Sequence, residues 1–308
     1  MMKIGVIGLG TIAQKAYLPV YTREFPEHEW HFCTRDADKL RMLGKTYGLP
    51  KCRLHREWKA LSEIVEAVFI HSPTATHYEI VSYFLKRNIP VFVDKPLTEY
   101  IRQTQALLQL AEAQQVLLMT GFNRRFAPAI SELANVEGKN RLTVQKNQVN
   151  ATDFPVRNRV YDMMIHPIDT AVYLMGEKSV RLVDSKVEGA DGDFRQAWVL
   201  LESPEMTAMV SINNQSGAKR ETVELQSTSG TYTVNNLTEV SIFKGTARTD
   251  QSAGDWTQTL EKRGFIPMVG HFLKAAEEGG ETPVSNTSTR LSHEICEGVC
   301  LRHEERVK

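Results

Sequence analysis

The sequence is short of several things that would mark a specialised protein. It has four cysteines in 308 residues, Cys33, Cys52, Cys296 and Cys300, too few and too scattered for a disulfide framework. No apolar run approaches the roughly 20 residues that a membrane-spanning helix requires. It has no excess charge, with 37 basic against 37 acidic side chains, whereas a nucleic-acid-binding surface usually shows as a basic excess. The opening apolar stretch makes a poor secretion signal, because Gly5, Gly8, Gly10 and Lys15 interrupt it. A cytoplasmic protein is therefore expected, and Asn-x-Ser/Thr triplets such as Asn150-Ala151-Thr152 read as chance matches. Internal repeats and low-complexity linkers are also lacking.

What is present is an ordinary globular composition, 42% hydrophobic and 24% charged, at a length that suggests two domains. Up to Gly121, short apolar runs alternate with helical patterns. Strands are expected at Lys3 to Ile7, Trp30 to Thr34, Glu66 to Ile70, Val91 to Asp94 and Val116 to Thr120. Leu107, Leu108 and Ala111 give helical spacing to Ile101 to Gln115. Such alternation predicts an α/β unit, a doubly wound parallel sheet with helices on both faces. Beyond it, strand-like runs follow one another at Leu142 to Val149, Val180 to Val187, Ala197 to Glu202, Thr207 to Asn213, Thr222 to Ser227 and Glu239 to Phe243. These predict an α+β domain with a mainly antiparallel sheet, with helices at Phe126 to Leu133, Tyr161 to Met175, Val269 to Glu278 and Thr289 to Glu305. The expected division is 1–121 and 122–308.

The first strand runs directly into Gly8-Leu9-Gly10-Thr11-Ile12-Ala13 and then a helical pattern. This is a dinucleotide fingerprint in its Gly/Ala form. Gly8 makes the tight turn, Gly10 lets backbone approach a pyrophosphate, and Ala13 keeps helix and strand close. The free N–H groups of the helix start favour the anion. The second strand ends Cys33-Thr34-Arg35-Asp36, with Thr34 where a ribose-binding acid would stand. A hydroxyl followed by a guanidinium suits a 2′-phosphate, so NADP is expected over NAD. Two other readings stay open: Arg35 as a solvated charge with Asp36 capping the next helix, or Asp36 turned to an NAD ribose.

Two strand-end segments, His71-Ser72-Pro73-Thr74-Ala75-Thr76-His77 and Asp94-Lys95-Pro96-Leu97, accompany the fingerprint. Gly121-Phe122-Asn123-Arg124-Arg125-Phe126 and Asp162-x-x-x-His166-Pro167-x-Asp169 follow. With these motifs the chain resembles the Gfo/Idh/MocA oxidoreductases, named for glucose-fructose oxidoreductase, inositol dehydrogenase and the rhizopine catabolism protein, and within them a branch labelled virulence-factor oxidoreductases. Asp94 stands where the family usually has glutamate, and Asn158-Arg159-Val160-Tyr161 replaces a glycine-rich approach to the Asp-x-x-x-His helix. The resemblance implies hydride transfer between nicotinamide and a secondary alcohol or ketone of a sugar, cyclitol or related polyol. It implies that Thr11, Ile12, Ser72, Pro73, Thr74, His77, Asp94, Pro96 and Asn123 join the fingerprint, Thr34, Arg35 and Lys95 around the cofactor, and that Lys95, Arg124, Asp162, His166 and Asp169 face the substrate.

Elementary chemistry points to the same catalytic residues. Hydride transfer at a carbinol carbon leaves a proton to be moved, and Lys95 sits at a parallel strand's C-terminal end, where open α/β sheets bind ligands. Spacing of i to i+4 would put Asp162 beside His166 on one helical face, where a carboxylate can orient an imidazolium. An ordinary exposed ion pair is the alternative. His77 could equally be a structural helix-start residue, and Asp169 a brace. Arg157 and Arg159 read as solvated loop charges rather than as contacts for an acidic substrate. Cys296 and Cys300 lack further ligands nearby, so they read as packing and no metal is expected. A homodimer or homotetramer is expected, using the open face of the second sheet. The rival reading is a regulatory protein that senses NADP(H) or a metabolite without turnover.

Overall fold

The computed structural model describes residues 1–149, 151, 154–177, 179–190 and 193–307, so Asn150 and Thr152 of the triplet above lie outside the described residues. The chain folds into two compact units, Met1–Gly121 with Phe265–Asn286, and Phe122–Gly264 with Thr287–Lys308.

In the first unit six parallel strands, β1 (Lys3–Ile7), β2 (Glu29–Cys33), β3 (Leu54–His55), β4 (Ala67–Ile70), β5 (Val91–Asp94) and β6 (Leu118–Gly121), lie in the order β3-β2-β1-β4-β5-β6. The order reverses between β1 and β4, which opens a crevice at their carboxyl ends. Ile4, Val6, Val68, Phe69, Val91 and Phe92 are all buried. With both faces of the sheet covered, these strands are continuous apolar runs instead of alternating ones. β3 has two residues and no apolar run to announce it.

Assigning everything after Gly121 to the second domain needs correcting. The helix Phe265–Glu278 belongs to the first unit because its aromatic face is buried there. The Phe272 ring lies 4.9 Å from Phe69 and 5.6 Å from Phe92, and Phe265 meets Tyr17 edge-on at 5.3 Å.

The second unit holds eight strands, β7 (Lys139–Asn147), β8 (Arg181–Ala190), β9 (Asp193–Glu202), β10 (Thr207–Asn213), β11 (Arg220–Ser227), β12 (Gly230–Asn235), β13 (Glu239–Lys244) and β14 (Ala247–Ser252). Their order is β14-β13-β12-β11-β7-β10-β9-β8, antiparallel except where β10 pairs with β7. Inward residues of β10 (Ala208, Val210, Ile212) alternate with more exposed ones, the mark of a sheet covered on one face. β12 and β14 were not expected. β14, Ala-Arg-Thr-Asp-Gln-Ser, is exposed throughout at the sheet edge and has no hydrophobic face to betray it.

The expected helix Tyr161 to Met175 begins earlier and is not uniform. A turn of α-helix (Val156–Arg159) leads into a π turn (Val160–Met164) and then the α-helix Ile165–Leu174. The wider π turn hydrogen-bonds i to i+5. Asp162 lies inside it and His166 in the α-helix that follows.

Phe272 supports the reassigned helix, so Phe272→Ala should destabilise the first unit by about 3 to 5 kcal/mol. Urea denaturation followed by tryptophan fluorescence checks this, since Trp30 and Trp58 both lie in that unit.

Candidate functional site

At the end of β1, Gly8 has φ +92° and its N–H donates to the Cys33 carbonyl at 3.0 Å. A Cβ there would lie 2.4 Å from the Ser72 nitrogen and 2.6 Å from the His71 carbonyl carbon. Only glycine allows the ends of β1 and β4 to meet this way. A Cβ on Gly10 would meet nothing within 4 Å, which leaves its backbone open to a ligand. Thr11 and Ile12 are exposed at the helix start, and the fully buried Ala13 seats the helix against the sheet.

Beside this turn lies a cleft of about 370 Å³ whose walls include Gly8, Thr34, Arg35, Asp36, Arg56, Trp58, Ser72 and Pro73. Thr74 stands in the short turn Thr74–Thr76 that follows. Arg56 and Trp58 had no sequence signal. They reach the cleft because β3 pairs with β2 and the Thr34 N–H donates to the His55 carbonyl at 3.1 Å. Asp36 caps the helix Ala37–Thr46, accepting from the Lys39 N–H at 3.0 Å. That N–H, helped by the Lys39 ammonium, holds its carboxyl below the usual range.

At the end of β5 the side chains around Lys95 brace the backbone. Asp94 Oδ1 accepts from the Lys95 N–H at 2.9 Å and from the Tyr17 hydroxyl at 3.1 Å. His77 is buried, with Nδ1 3.0 Å from the Pro96 carbonyl oxygen and Nε2 2.9 Å from that of Ser72. Both were expected at the cofactor. His77, in keeping with its structural reading, ties the Ser72 loop to the Lys95-Pro96 segment, whose peptide bond is cis, and Asp94 fixes the turn into Lys95. Behind them Tyr17 stacks on His71 at 4.0 Å, and burial pushes the His71 imidazole down to about 3.

In the second unit a short helical turn (Asn123–Phe126) places two arginines back to back. Arg124 is nearly inaccessible. Its Nε and Nη2 donate to the two Glu221 carboxylate oxygens, the latter bond at 2.9 Å, and its Nη1 donates to His166 Nδ1 at 2.7 Å. Lys146 Nζ adds a contact to Glu221 at 3.3 Å. Arg124 was expected to touch substrate, but these partners occupy it. Burial alone would raise the Glu221 carboxyl; the charges of Arg124 and Lys146 overcome it and bring it down to about 2. Neither Glu221 nor Lys146 was anticipated, since each lies in an unremarkable strand far along the sequence.

Asp169, expected either as a brace or at the substrate, is buried and braces Arg125, which donates to it at 2.6 and 2.9 Å while Ser292 donates at 3.2 Å. Asn123, expected at the cofactor, uses its amide on the Arg263 carbonyl at 2.8 Å and accepts from Arg124 at 3.3 Å. Asp162 is about half exposed with Arg159 at 3.9 Å. The two loop arginines are not solvated charges: Arg157 grips Glu297 at 2.7 and 3.0 Å, and Arg159 is buried and donates to the Ala151 carbonyl at 3.1 Å. Cys296 and Cys300 are buried on their helix.

Glu221 couples this cluster to pH. Its folded value of about 2 against an ordinary 4.5 means that its stabilisation, about 3 kcal/mol at 1.36 per unit, is present above pH 4.5 and lost as pH falls towards 2. Urea midpoints of the protein and of Glu221→Gln should therefore converge over that interval. Midpoints separated by the same amount at pH 6 and pH 2.5 would contradict the coupling.

Comparison with known proteins agrees with this geometry. Residues 2–122 match the sequence model of the Gfo/Idh/MocA oxidoreductase family, NAD-binding Rossmann fold. The chain is 29% identical over 300 residues to YceM of Salmonella typhimurium, covering 97% of each, and 26% identical to the myo-inositol 2-dehydrogenase of Thermotoga maritima, covering 94% of this chain and 93% of that one. The crystal structure of a Gfo/Idh/MocA family oxidoreductase from Vibrio cholerae superposes with a TM-score of 0.90 at 28% identity, over 100% of this chain and 99% of the other. Among the described residues no helix is long and apolar enough to cross a membrane. Residues 2–122 are thus similar to the NAD-binding Rossmann part of the Gfo/Idh/MocA oxidoreductases, and the chain is similar along its length to proteins of that family.

Proposed function

We propose that the chain is an NADP-preferring dehydrogenase or reductase that interconverts a secondary alcohol and a ketone on a sugar, cyclitol or related polyol. The observation that supports NADP best is the chemistry of the cleft wall. Thr34 offers a hydroxyl, Arg35 and Arg56 offer two guanidinium groups, and Asp36, the acid of that loop, is engaged at a helix start. Guanidinium forks bind phosphate oxygens in pairs and stack on flat rings. The bare backbone of Gly10 and the exposed helix start fit a pyrophosphate. The substrate class rests on the myo-inositol 2-dehydrogenase among the relatives.

When bound, the nicotinamide accepts hydride from, or returns it to, the carbinol carbon. The residues of this chain move the accompanying proton. Lys95, held in place by Asp94 and His77, is the group proposed to exchange that proton with the substrate oxygen, and His166 is proposed to hydrogen-bond the same oxygen. Asp162, on the turn before His166, is proposed to orient them.

Fluorescence titration tests the cofactor. NADPH should bind more tightly than NADH; Arg35→Ala and Arg56→Ala should each weaken NADPH by about tenfold or more and leave NADH nearly unchanged, and Thr34→Asp should reverse the order. Equal affinities in the unmodified protein would end the NADP assignment. Turnover tests the chemistry: against a panel of polyols and keto-sugars, Lys95→Ala should purify folded and lose about 10² to 10⁴ in kcat/KM. A folded Lys95→Ala with undiminished turnover would refute its role.

A further inference from the structure

We infer that Arg124 fixes His166 as the neutral tautomer with its proton on Nε2, so that His166 serves as a hydrogen-bond donor and not as the acid or base. The inference deepens the proposed function and rests on it for its chemical meaning, but its structural half stands on the second unit alone. A guanidinium has donors and no acceptor. Arg124 Nη1 lies 2.7 Å from His166 Nδ1, and at that distance Nδ1 must present its lone pair. The ring proton then sits on Nε2.

The surroundings make this arrangement hard to reverse. Arg124 cannot turn away, because Nε and Nη2 are committed to Glu221 and the side chain is 5% exposed. Glu221 is held in turn by Lys146. Charged groups of this cluster and of the helical segment that carries the imidazole include Arg124 on the Asn123–Phe126 turn, Glu221 on β11, Lys146 on β7, Arg263 within electrostatic reach of Arg124 and Glu221, and Asp162 and Arg159 on the turns before His166. Arg124, Lys146 and Glu221 together carry one net positive charge. Protonating Nδ1 would add a second and set N–H against N–H across 2.7 Å.

The consequence is a division of labour. A neutral imidazole with Nδ1 occupied cannot take a proton at Nε2, which already carries one, and giving that proton up would leave an imidazolate. In the proposed function the proton released from the substrate hydroxyl during oxidation therefore falls to Lys95, and in reduction it returns from Lys95 to the carbonyl oxygen. With Nδ1 taken by Arg124, the role left for His166 Nε2–H in the proposed function is that of a donor. Arg124 is a positioning residue, acting only through the imidazole.

The decisive experiment uses the full-length protein labelled with ¹⁵N-histidine, the His166 signals being identified by their loss in His166→Gln. At pH 7 the expected spectrum has an unprotonated Nδ1 and a protonated Nε2, and in Arg124→Leu a protonated Nδ1 form appears. A protonated Nδ1 in the unmodified protein, or an Arg124→Leu spectrum identical to it, overturns the inference. Should Arg124→Leu fail to fold, the unmodified spectrum decides alone. These spectra need no substrate, so they separate failure of the tautomer from failure of the proposed reaction. Kinetics then read the chemistry: His166→Gln, whose amide still donates, should keep kcat/KM within about tenfold and leave the shape of the pH profile unchanged, whereas Lys95→Ala loses about 10² or more. A His166→Gln loss as large as that of Lys95→Ala, or a vanished pH limb, would restore His166 as acid or base.

Discussion

The first unit depends on one close approach, the backbone of Gly8 against the backbone at His71-Ser72. A methyl group there would collide with main-chain atoms that cannot move without pulling β1 from β4. Those strands are the pair at which the sheet order reverses, so the tight turn that forms the cleft and the strand junction that opens it are one feature. The rest of the cleft follows. Cys33 receives the Gly8 N–H, Thr34 follows Cys33, and the His55 carbonyl draws Arg56 and Trp58 alongside. Backbone bonds thus bring side chains from three separate loops to one wall.

The second unit is organised by buried charge. Arg124 and Arg125 are neighbours in sequence but point to different carboxylates, one to Glu221 and the other to Asp169 and Glu177. A buried guanidinium is tolerable only with such partners, and removing one partner of a buried pair commonly costs about 3 to 5 kcal/mol. The two pairs consequently lock the turn Asn123–Phe126 to β11 on one side and to the helix Ile165–Leu174 on the other. His166 and Asp169 lie one turn apart on that helix, and each meets one of the two arginines. Its rotation is set from both sides.

How much of this was legible follows from what each residue answers to. Gly8, Gly10, Ala13 and the strands β1 and β5 were readable because a turn, a close approach or a doubly covered strand restricts residue type within a few positions. Thr34 and Arg35 were readable because the end of β2 follows the fingerprint at a known interval. Arg56, Trp58, Glu221 and Lys146 were not, since only the pairing of distant strands brings them to their sites. His77 and Asp169 could be read either as braces or as ligand contacts, and Asp94 as a ligand contact: both roles demand the same polar side chains, and only burial and the identity of each partner bear on the choice. The exposed edge strand β14 fails for the opposite reason, as it has no buried face to impose a pattern.

The helical segment that carries Asp162 and His166 is not uniform. Four residues suffice to align two side chains in an α-helix, but the π turn from Val160 to Met164 changes that spacing, and π turns cluster where a helix must present a side chain out of register. Arg124, 42 positions away in sequence, meets His166 Nδ1. A carboxylate there would accept a proton-bearing nitrogen and stabilise a cation; a guanidinium requires a lone pair and disfavours one. A guanidinium in the place of a carboxylate at Nδ1 thus reverses the polarity of the imidazole.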